Sequence, residues 1–277
     1  SFVCAFGAEE EPAIDKLYQR GLDNGIGQLQ ILSGDEARAM EPYLSEAVTR
    51  VLYIPTAGII CPYDLTIAAA GNAMDNGVTL LRNFEVASIE GDFAVTAADG
   101  RTVECSYLLN CAGGYSDKVA RMVGDDFFTI IPRAGEYMLL DKAEGGRVSH
   151  TIFQTPGKEG KGILVSPTVD GNLLLGPTAT KVETPESRDT TPDGLDVVMR
   201  LAAKTVPTVN FRQVITSFTG VRATGTDGKF VLKASEKVEG LVHAGAIDSP
   251  GLTCCVSIAK YLTGLLEKEG LVTIGAE

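Results

Sequence analysis

The sequence lacks features that define several classes of protein. None of its apolar runs approaches the roughly 18–20 residues that cross a membrane as a helix, and its start, SFVCAFGAEEEP, lacks the basic and long apolar regions of a secretory signal. It has no excess of basic residues, since 24 lysines and arginines stand against 36 aspartates and glutamates, a formal net charge of −12. A phosphate backbone would be repelled, so we expect no nucleic-acid partner.

Motifs for metal binding and for hydrolysis are also missing. The six cysteines are scattered without a C-x-x-C pair, whereas zinc and iron–sulfur sites need clustered ligands. We therefore expect no metal site and mostly buried, reduced thiols, which indicates a cytoplasmic protein. No G-x-S-x-G, H-E-x-x-H or P-loop pattern occurs, so a hydrolase or a P-loop phosphotransferase has no support.

The sequence does contain an interleaved pattern of helices and strands. Apolar periodicity and capping signals, among them Ser33 with Glu36, predict helices at 10–24, 33–41, 62–76, 191–204 and 253–269, and a short one ending near 123. Short strands at 79–81, 85–90, 93–97 and 102–105 predict a β-meander. From residue 129 to residue 215 strands alternate with turns, which indicates an antiparallel sheet.

A buried strand, a glycine turn and a helix follow one another at residues 107–123, YLLNCAGGYSDKVARMV. In this arrangement the backbone amides at the helix start can face a phosphate. Such turns are also common as plain connections, and the residues alone leave both interpretations open.

Two arginines and a tyrosine are candidates for binding an anion. Arg222 follows an apolar strand, among small residues that leave space around it, so it can donate two hydrogen bonds to a carboxylate or phosphate. A surface salt bridge is the alternative. Arg133 and Tyr137 share one face of a predicted strand, opposite to Glu136. They can reach a common ligand, although ordinary surface positions fit equally well.

The sequence has two histidines. His243 lies in the apolar stretch LVHAGA, and we expect it to be a core residue with its hydrogen bonds satisfied. His150 could accept a proton from a substrate, but its neighbours in the sequence fix no such role.

The last predicted helix opens on Ser-Pro-Gly-Leu-Thr, at residues 249–253. Gly251 is unfavourable in a helix by about 1 kcal/mol relative to alanine, which suggests that something approaches the backbone closely there. We expect Ser249 or Asp248 to cap this helix and Pro250 to start it.

A series of segments in this order resembles one group of flavoproteins. The segments are PTAGIICPYDLTIAAAGNAMDNGVTL, YLLNCAGGYSD, PRAGEYMLLD, ILVSPTVDGNLLLGPTA, FTGVRATGTDG and GAIDSPGLTCCVSIA. They resemble the FAD-dependent glycerol-3-phosphate dehydrogenases of the anaerobic type and their relatives, the 2-hydroxyglutarate oxidases, in the broad D-amino-acid-oxidase-like group. The resemblance covers nearly the whole chain and is more specific for the group than for the substrate.

The resemblance implies roles for residues in most of these segments. The implied FAD-binding residues are Val86, Ala112, Gly113, Gly245, Gly251, Leu252 and Thr253. The implied substrate-binding residues are Arg222, which grips the anionic group, and Arg133 and Tyr137. A helix N-terminus at Gly251 would stabilise the negative charge that reduction leaves on the pyrimidine edge of the flavin. The catalytic base stays unknown.

The sequence departs from this group in one respect. The group opens with a strand, a G-x-G-x-x-G turn and a helix, but the nearest matches here are GIG at 25–27 and GKEGKG at 157–162, neither of them between a strand and a helix. The chain therefore resembles the group without its first βαβ unit, which supplies most of the grip on the pyrophosphate. We expect a truncated chain that binds little or no FAD.

These observations predict an α+β fold. A partial FAD-binding Rossmann-like domain (62–127 and 216–277) would be interleaved with an antiparallel-sheet substrate domain (1–61 and 128–215). The predicted parent enzyme oxidises a small anionic alcohol, most directly glycerol 3-phosphate, and the alternatives are a 2-hydroxy-acid oxidase and an inactive fragment that does not hold FAD. A peripheral membrane or electron-acceptor partner is expected only for the full-length protein.

Overall fold

The computed structural model describes residues 1–156 and 162–272. Most of the GKEGKG match therefore lies outside the described residues. The helices are α1 (Glu11–Asp23), α2 (Gly34–Met40), α3 (Pro62–Asp75), α4 (Ser116–Met122), α5 (Pro192–Thr205) and α6 (Gly251–Lys268). The strands are β1 (Phe2–Ala5), β2 (Gln30–Ser33), β3 (Arg50–Tyr53), β4 (Val86–Glu90), β5 (Ala94–Ala97), β6 (Thr102–Glu104), β7 (Leu108–Asn110), β8 (Ile130–Leu140), β9 (Ile152–Gln154), β10 (Leu164–Pro167), β11 (Leu173–Gly176), β12 (Thr180–Lys181), β13 (Val214–Gly225), β14 (Val231–Ala234) and β15 (Leu241–Gly245).

The chain folds into two compact units, each assembled from three segments. Unit 1 consists of Ser1–Leu65, Ala134–Thr180 and Arg188–Gly220. Unit 2 consists of Thr66–Arg133, Lys181–Ser187 and Val221–Glu277. The roles that the sequence assigns to two interleaved domains, substrate binding and FAD binding, remain predictions.

Unit 1 is built on a mixed, mostly antiparallel sheet. The strand order is β12-β8-β11-β10-β9-β1-β3-β2, with β13 also paired to β8. One face of the sheet carries large buried side chains such as Phe2, Ile152 and Leu175, and Val198 and Ala202 of α5 belong to the same cluster. These two helix residues are four apart, so they lie on the same side of α5 and are buried together.

Unit 2 contains two three-stranded sheets. One is the antiparallel meander β4-β5-β6, and the other has the order β14-β15-β7, in which β15 runs parallel to β7. The predicted strand at 79–81 is absent: these residues pair with no described strand, and Leu80 is 57 % exposed. An extended segment becomes a strand only where a partner completes its hydrogen bonds.

The two longest strands correct the sequence-based boundaries. We expected Arg222 to follow an apolar strand, but β8 and β13 pair with each other and extend over Ile130–Leu140 and Val214–Gly225. Arg222 therefore lies within a strand and not after one. Small residues near its end do not stop β13, because the neighbouring strand supplies its hydrogen bonds.

The cysteines are less buried than expected. Cys4 is buried, whereas Cys111 and Cys255 are exposed. Cys111 lies one residue beyond the end of β7, and Cys255 lies in the second turn of α6.

Within the described ranges, no helix combines the length and the apolar character needed to span a bilayer.

Candidate functional site

The parallel strands β7 and β15 end side by side in unit 2. Asn110, the last residue of β7, is the register partner of His243 in β15. Ligands of parallel sheets commonly bind beyond the carboxyl ends of the strands. We call residues 110–114 and 245–253 the carboxyl edge; it brings together Ala112, Gly113, Gly245, Gly251, Leu252 and Thr253, which the sequence proposed as FAD-binding residues.

Two glycines of the carboxyl edge are needed for different reasons. Gly113 has φ +56°, in the left-handed region, and no described atom lies within 4 Å of the position that a Cβ would occupy. A Cβ on Gly245 would lie 2.8 Å from the ring of Phe128 and 3.1 Å from the hydroxyl of Ser116. Gly113 thus borders open space, whereas Gly245 allows close internal packing.

The first turn of α6 receives no cap from its N-cap residue. Pro250 occupies the N-cap position and makes no side-chain hydrogen bond to the first turn. The Gly251 N–H donates to the Asp248 carbonyl at 2.7 Å. The amides of Leu252 and Thr253 belong to the first-turn groups for which the helix itself has no acceptor.

The expected N-cap position, Ser249 or Asp248, is too early in the chain, because Pro250 is the N-cap residue. The carboxylate of Asp248 accepts a hydrogen bond from the Thr224 hydroxyl at 2.6 Å, and the N–H of Ser249 also donates to it. The carboxylate is therefore occupied by β13 and by its own turn.

Gly251 is explained by a contact inside unit 2. A Cβ at this position would lie 2.5 Å from Cγ2 of Ile247, which is far inside van der Waals contact. The close approach that the sequence indicated is thus made by Ile247. The glycine needs no ligand to account for it.

The strand that carries Arg222 is attached to the turn that precedes α6. Thr224, two residues further along β13, makes the hydrogen bond to Asp248, and a Cβ on Gly225 would lie 2.9 Å from the Cβ of Ala246. Ala223 and Ala246 also share one buried cluster. The half-buried Arg222 is therefore part of the same packed region as the turn that leads into α6.

The remaining predicted residues lie on other elements of the fold. Val86 begins β4 in the meander, where its side chain packs with a cluster that includes Ile89 and Leu241. Arg133 is exposed and belongs to unit 2, whereas Tyr137 belongs to unit 1 and stacks on Phe218 with ring centroids 5.1 Å apart. A common ligand of Arg133 and Tyr137 stays a prediction.

His150 is engaged by a buried carboxylate. Its Nδ1 lies 2.6 Å from Oε1 of Glu41, and the backbone N–H groups of Ser149 and His150 donate to the same carboxylate. The imidazole ring also stacks on Phe2, with centroids 4.8 Å apart. These contacts hold the segment around His150 against the residue that follows α2, and they give the histidine a structural role in unit 1.

His243 is fully buried, as the sequence indicated, and it is part of a polar chain that the sequence did not reveal. Its Nε2 lies 2.9 Å from Oδ2 of Asp125, and its Nδ1 lies 3.1 Å from Nδ2 of Asn110. These partners are 118 and 133 residues away in the sequence, so no local pattern could have indicated them.

The electrostatics of Asp125 follow from this chain. Burial opposes the charged form of its carboxyl group, but the hydrogen bonds that it accepts from Ser235 and His243 outweigh burial, together with smaller electrostatic contributions from His243 and Lys237. The pKa of Asp125 is therefore held below the ordinary value for an aspartate.

Comparison with known proteins identifies the family. A family model described as FAD dependent oxidoreductase matches residues 1–265. The chain belongs to this family. A glycerol 3-phosphate dehydrogenase of Caloramator mitchellensis is 39% identical over 269 residues, which are 96% of this chain and 56% of the relative. The L-2-hydroxyglutarate dehydrogenase of Mus musculus is 29% identical over 194 residues, 64% of this chain and 41% of that protein.

Solved structures of this oxidoreductase family confirm the predicted fold. The dithionite-reduced L-α-glycerophosphate oxidase of Mycoplasma pneumoniae with FAD bound superimposes with a TM-score of 0.89 at 28% identity, covering 96% of this chain and 72% of that one. The resemblance read from the sequence is thus confirmed. The chain spans little more than half, 56%, of the length of its Caloramator relative.

FAD is the cofactor of the family, and the carboxyl edge fits one part of it. The uncapped first turn of α6 offers N–H groups and the positive end of a helix dipole to the carbonyl-bearing edge of a flavin. Gly113 leaves open space where a ligand can approach the backbone. These residues would hold the flavin ring.

Proposed function

We propose that the protein containing this chain oxidises a small anionic alcohol, with glycerol 3-phosphate as its substrate, using FAD held at the carboxyl edge. One observation carries the proposal: the uncapped start of α6 is tied by the Asp248–Thr224 hydrogen bond to the strand that bears Arg222. A candidate flavin-binding helix and a candidate anion-binding side chain thus share one packed region of unit 2. The name of the Caloramator relative supports the choice of substrate.

In this proposal the residues of the chain bind and orient. The amides of Leu252 and Thr253 donate to the pyrimidine edge of the flavin, and the backbone at Ala112 and Gly113 approaches the dinucleotide. The guanidinium of Arg222 donates two hydrogen bonds to the substrate's anionic group. Arg133 lines the substrate side, and Val86 contacts the adenine side through its backbone. The substrate role of Tyr137, which belongs to unit 1, stays a prediction from the sequence.

The proposed reaction converts a secondary alcohol to a ketone. The carbinol C–H bond breaks, the C=O bond forms, and the hydroxyl proton passes to a base. Bound FAD would supply the acceptor for the hydride. His150 is engaged by Glu41 in the structure, so we do not assign the base to it.

A 2-hydroxy acid is the second candidate substrate. Arg222 would bind its carboxylate by the same two-pronged contact that would bind a phosphate. The mouse L-2-hydroxyglutarate dehydrogenase, similar over 64% of the chain, supports this candidate. In both cases we propose that residues 1–277 alone hold FAD weakly or not at all, because the sequence lacks the glycine-rich pyrophosphate turn.

Two measurements test these proposals. The FAD-loaded full-length protein should turn over glycerol 3-phosphate faster than L-2-hydroxyglutarate; turnover of the hydroxy acid alone would favour the second candidate, and turnover of neither would overturn both. Titration of residues 1–277 with FAD, followed by flavin fluorescence, should show little binding. A yellow protein that retains FAD through purification would contradict the proposed weak binding of FAD by residues 1–277.

A further inference from the structure

In the buried chain Asp125–His243–Asn110, the backbone partners of Asn110 determine which group donates and which accepts in each hydrogen bond. Asp125 is 2% exposed, His243 is 0% exposed and Asn110 is 3% exposed, so water is not available to exchange for a missing partner. Each donor in such a chain must therefore face an acceptor.

The amide of Asn110 can point in one way only. Its Oδ1 lies 3.2 Å from the backbone nitrogen of Ala112, which can only donate. Its Nδ2 lies 2.8 Å from the carbonyl oxygen of Ser116, which can only accept. A flipped amide would place two donors together at Ala112 and two acceptors together at Ser116. The NH₂ group therefore faces Nδ1 of His243.

The orientation of Asn110 in turn sets the state of the imidazole. Because Nδ1 of His243 faces a donor at 3.1 Å, this nitrogen carries no proton and accepts. Nε2 then carries the proton and donates to the carboxylate of Asp125 at 2.9 Å. A second proton, on Nδ1, would meet the Asn110 NH₂ group, so the ring is held neutral although a carboxylate lies beside it.

The other ionisable side chains on the elements around the ring have partners of their own. Lys233 of β14, the register partner of His243, lies over the ring of Phe127 at 4.0 Å. Asp117 of α4 pairs with Arg121 at 3.0 Å. Asp125, next to the nearby Lys237, is therefore the charged group that contacts the ring itself.

We propose that His243 is a positioning residue: its neutral Nε2–H form orients Asn110, and Asn110 fixes the turn at Ala112 and Gly113 in the shape that receives the dinucleotide. The role in binding rests on the proposed function, whereas the protonation state and the link to the turn stand without it. Adding a proton to Nδ1 would displace the Asn110 side chain and release the N–H of Ala112. The buried core histidine thus controls an element of the carboxyl edge.

Nuclear magnetic resonance on the unmodified chain tests the first part. With two histidines in the sequence, the buried ring is identified by its contacts with the rings of Phe127 and Phe128, whose centroids lie 5.6 and 5.9 Å from it. Long-range ¹H–¹⁵N spectra near pH 7 should show a protonated Nε2 and an unprotonated Nδ1. A proton on Nδ1 would overturn the proposal.

A matched pair of variants tests the link to the turn. In Asn110→Asp a carboxylate oxygen replaces the NH₂ group, so His243 should become doubly protonated. The new oxygen would also face the carbonyl oxygen of Ser116, and this repulsion should displace the side chain, so that the Ala112 amide exchanges with solvent at least about tenfold faster. The same change at the exposed Asn72 of α3 should alter neither signal. A ring that stays neutral in Asn110→Asp would contradict the proposal. If that variant does not fold, acid titration of the unmodified chain tests the link. The Ala112 amide should lose its protection from exchange at the pH at which the imidazole of His243 gains a proton. Loss of protection at a different pH would refute the link.

FAD binding by the full-length protein tests the positioning role. Asn110→Asp should weaken FAD binding at least about tenfold, or about 1.4 kcal/mol, and Asn72→Asp should leave it unchanged. Unchanged FAD affinity in Asn110→Asp would overturn the positioning role. Absence of FAD binding in the unmodified full-length protein would instead overturn the proposed function, and the spectra of the imidazole would still decide the protonation state.

Discussion

Helices α5 of unit 1 and α6 of unit 2 begin in opposite ways. The Thr191 hydroxyl accepts the N–H of Gly194 at 3.1 Å, and the buried carboxylate of Glu136 accepts both the N–H and the hydroxyl of Thr191, at 2.8 and 3.0 Å. At α6 the N-cap residue is Pro250, which makes no side-chain cap hydrogen bond, and the nearby carboxylate of Asp248 is held by Thr224.

The difference separates a structural helix start from one that is available to a ligand. The carboxylate of Glu136 provides both a hydrogen-bond acceptor and a negative charge for the positive end of α5, so that end is satisfied within the chain. The start of α6 keeps its N–H groups and its dipole for another acceptor. Both units contain suitable carboxylates, and only their placement in the tertiary structure distinguishes the two helices.

The largest effect on stability is expected from removing Glu136, the buried carboxylate that accepts hydrogen bonds from Thr191. Glu136→Ala should lower the free energy of unfolding by about 3 kcal/mol, because the donors of Thr191 lose a charged partner at a buried site. Asp193→Ala removes an exposed charge from the first turn of the same helix and should cost about 0.5 kcal/mol. Urea denaturation measures both, and equal effects would mean that charge alone, and not the buried cap, stabilises α5.

A smaller effect is expected at the start of α6. Gly251→Ala should lower the free energy of unfolding by about 2 kcal/mol, because the new Cβ would collide with Ile247. In an Ile247→Ala background the same change should instead be neutral or stabilising, since alanine favours a helix. Additive effects in the double-mutant cycle would show that Ile247 is not the reason for the glycine.

The third effect concerns a ligand of unit 2. In the FAD-loaded full-length protein, Arg222→Lys should raise the KM for glycerol 3-phosphate about tenfold, because a lysine cannot make the two-pronged contact. Arg82→Lys, at an exposed position of the same unit, is the matched control and should leave KM unchanged. Steady-state kinetics that found the same KM in both variants would remove Arg222 from the proposed site.

The smallest effect is a pH dependence that the two units share. A hydrogen bond from Arg147 lowers the pKa of Glu144 in unit 1. The pKa of Asp125 in unit 2 is also below its ordinary value. Each carboxylate stabilises the fold above its unfolded pKa, and this contribution is lost as pH falls through that value toward the lowered one. Glu144→Gln should therefore flatten the loss of stability in acid, measured by urea denaturation at several pH values. Glu46→Gln, at an exposed site, should not.

Local signals in the sequence predicted the elements whose contacts are local. The capping box at Ser33 and Glu36 is present, with hydrogen bonds of 3.3 and 2.8 Å. The long helices were predicted to within a few residues, because capping residues and periodicity lie within each segment. The ordered motifs were sufficient to indicate the family, and burial of His243 followed from its apolar neighbours.

The candidate site depended on contacts that form only when the chain folds. The sequence indicated that Gly251 is unusual but assigned the wrong cause, since Ile247 is brought close only when the turn folds back on α6. It also placed a cap at Asp248, whose carboxylate Thr224 of β13 occupies. Ile247 is only four residues from Gly251, but their contact depends on how the turn folds, and Thr224 is 24 residues from Asp248.

The sequence by itself determined the helices, most of the strands, and membership of the FAD-dependent oxidoreductase family. Each of these depends on residues that lie near one another in the chain or on motifs in a fixed order. The tertiary structure alone decided that Glu136 holds the cap of α5, that Thr224 holds the carboxylate of Asp248, and that Asp125, His243 and Asn110 form one buried chain. These features depend on which distant polar groups meet away from water, where every donor requires an acceptor.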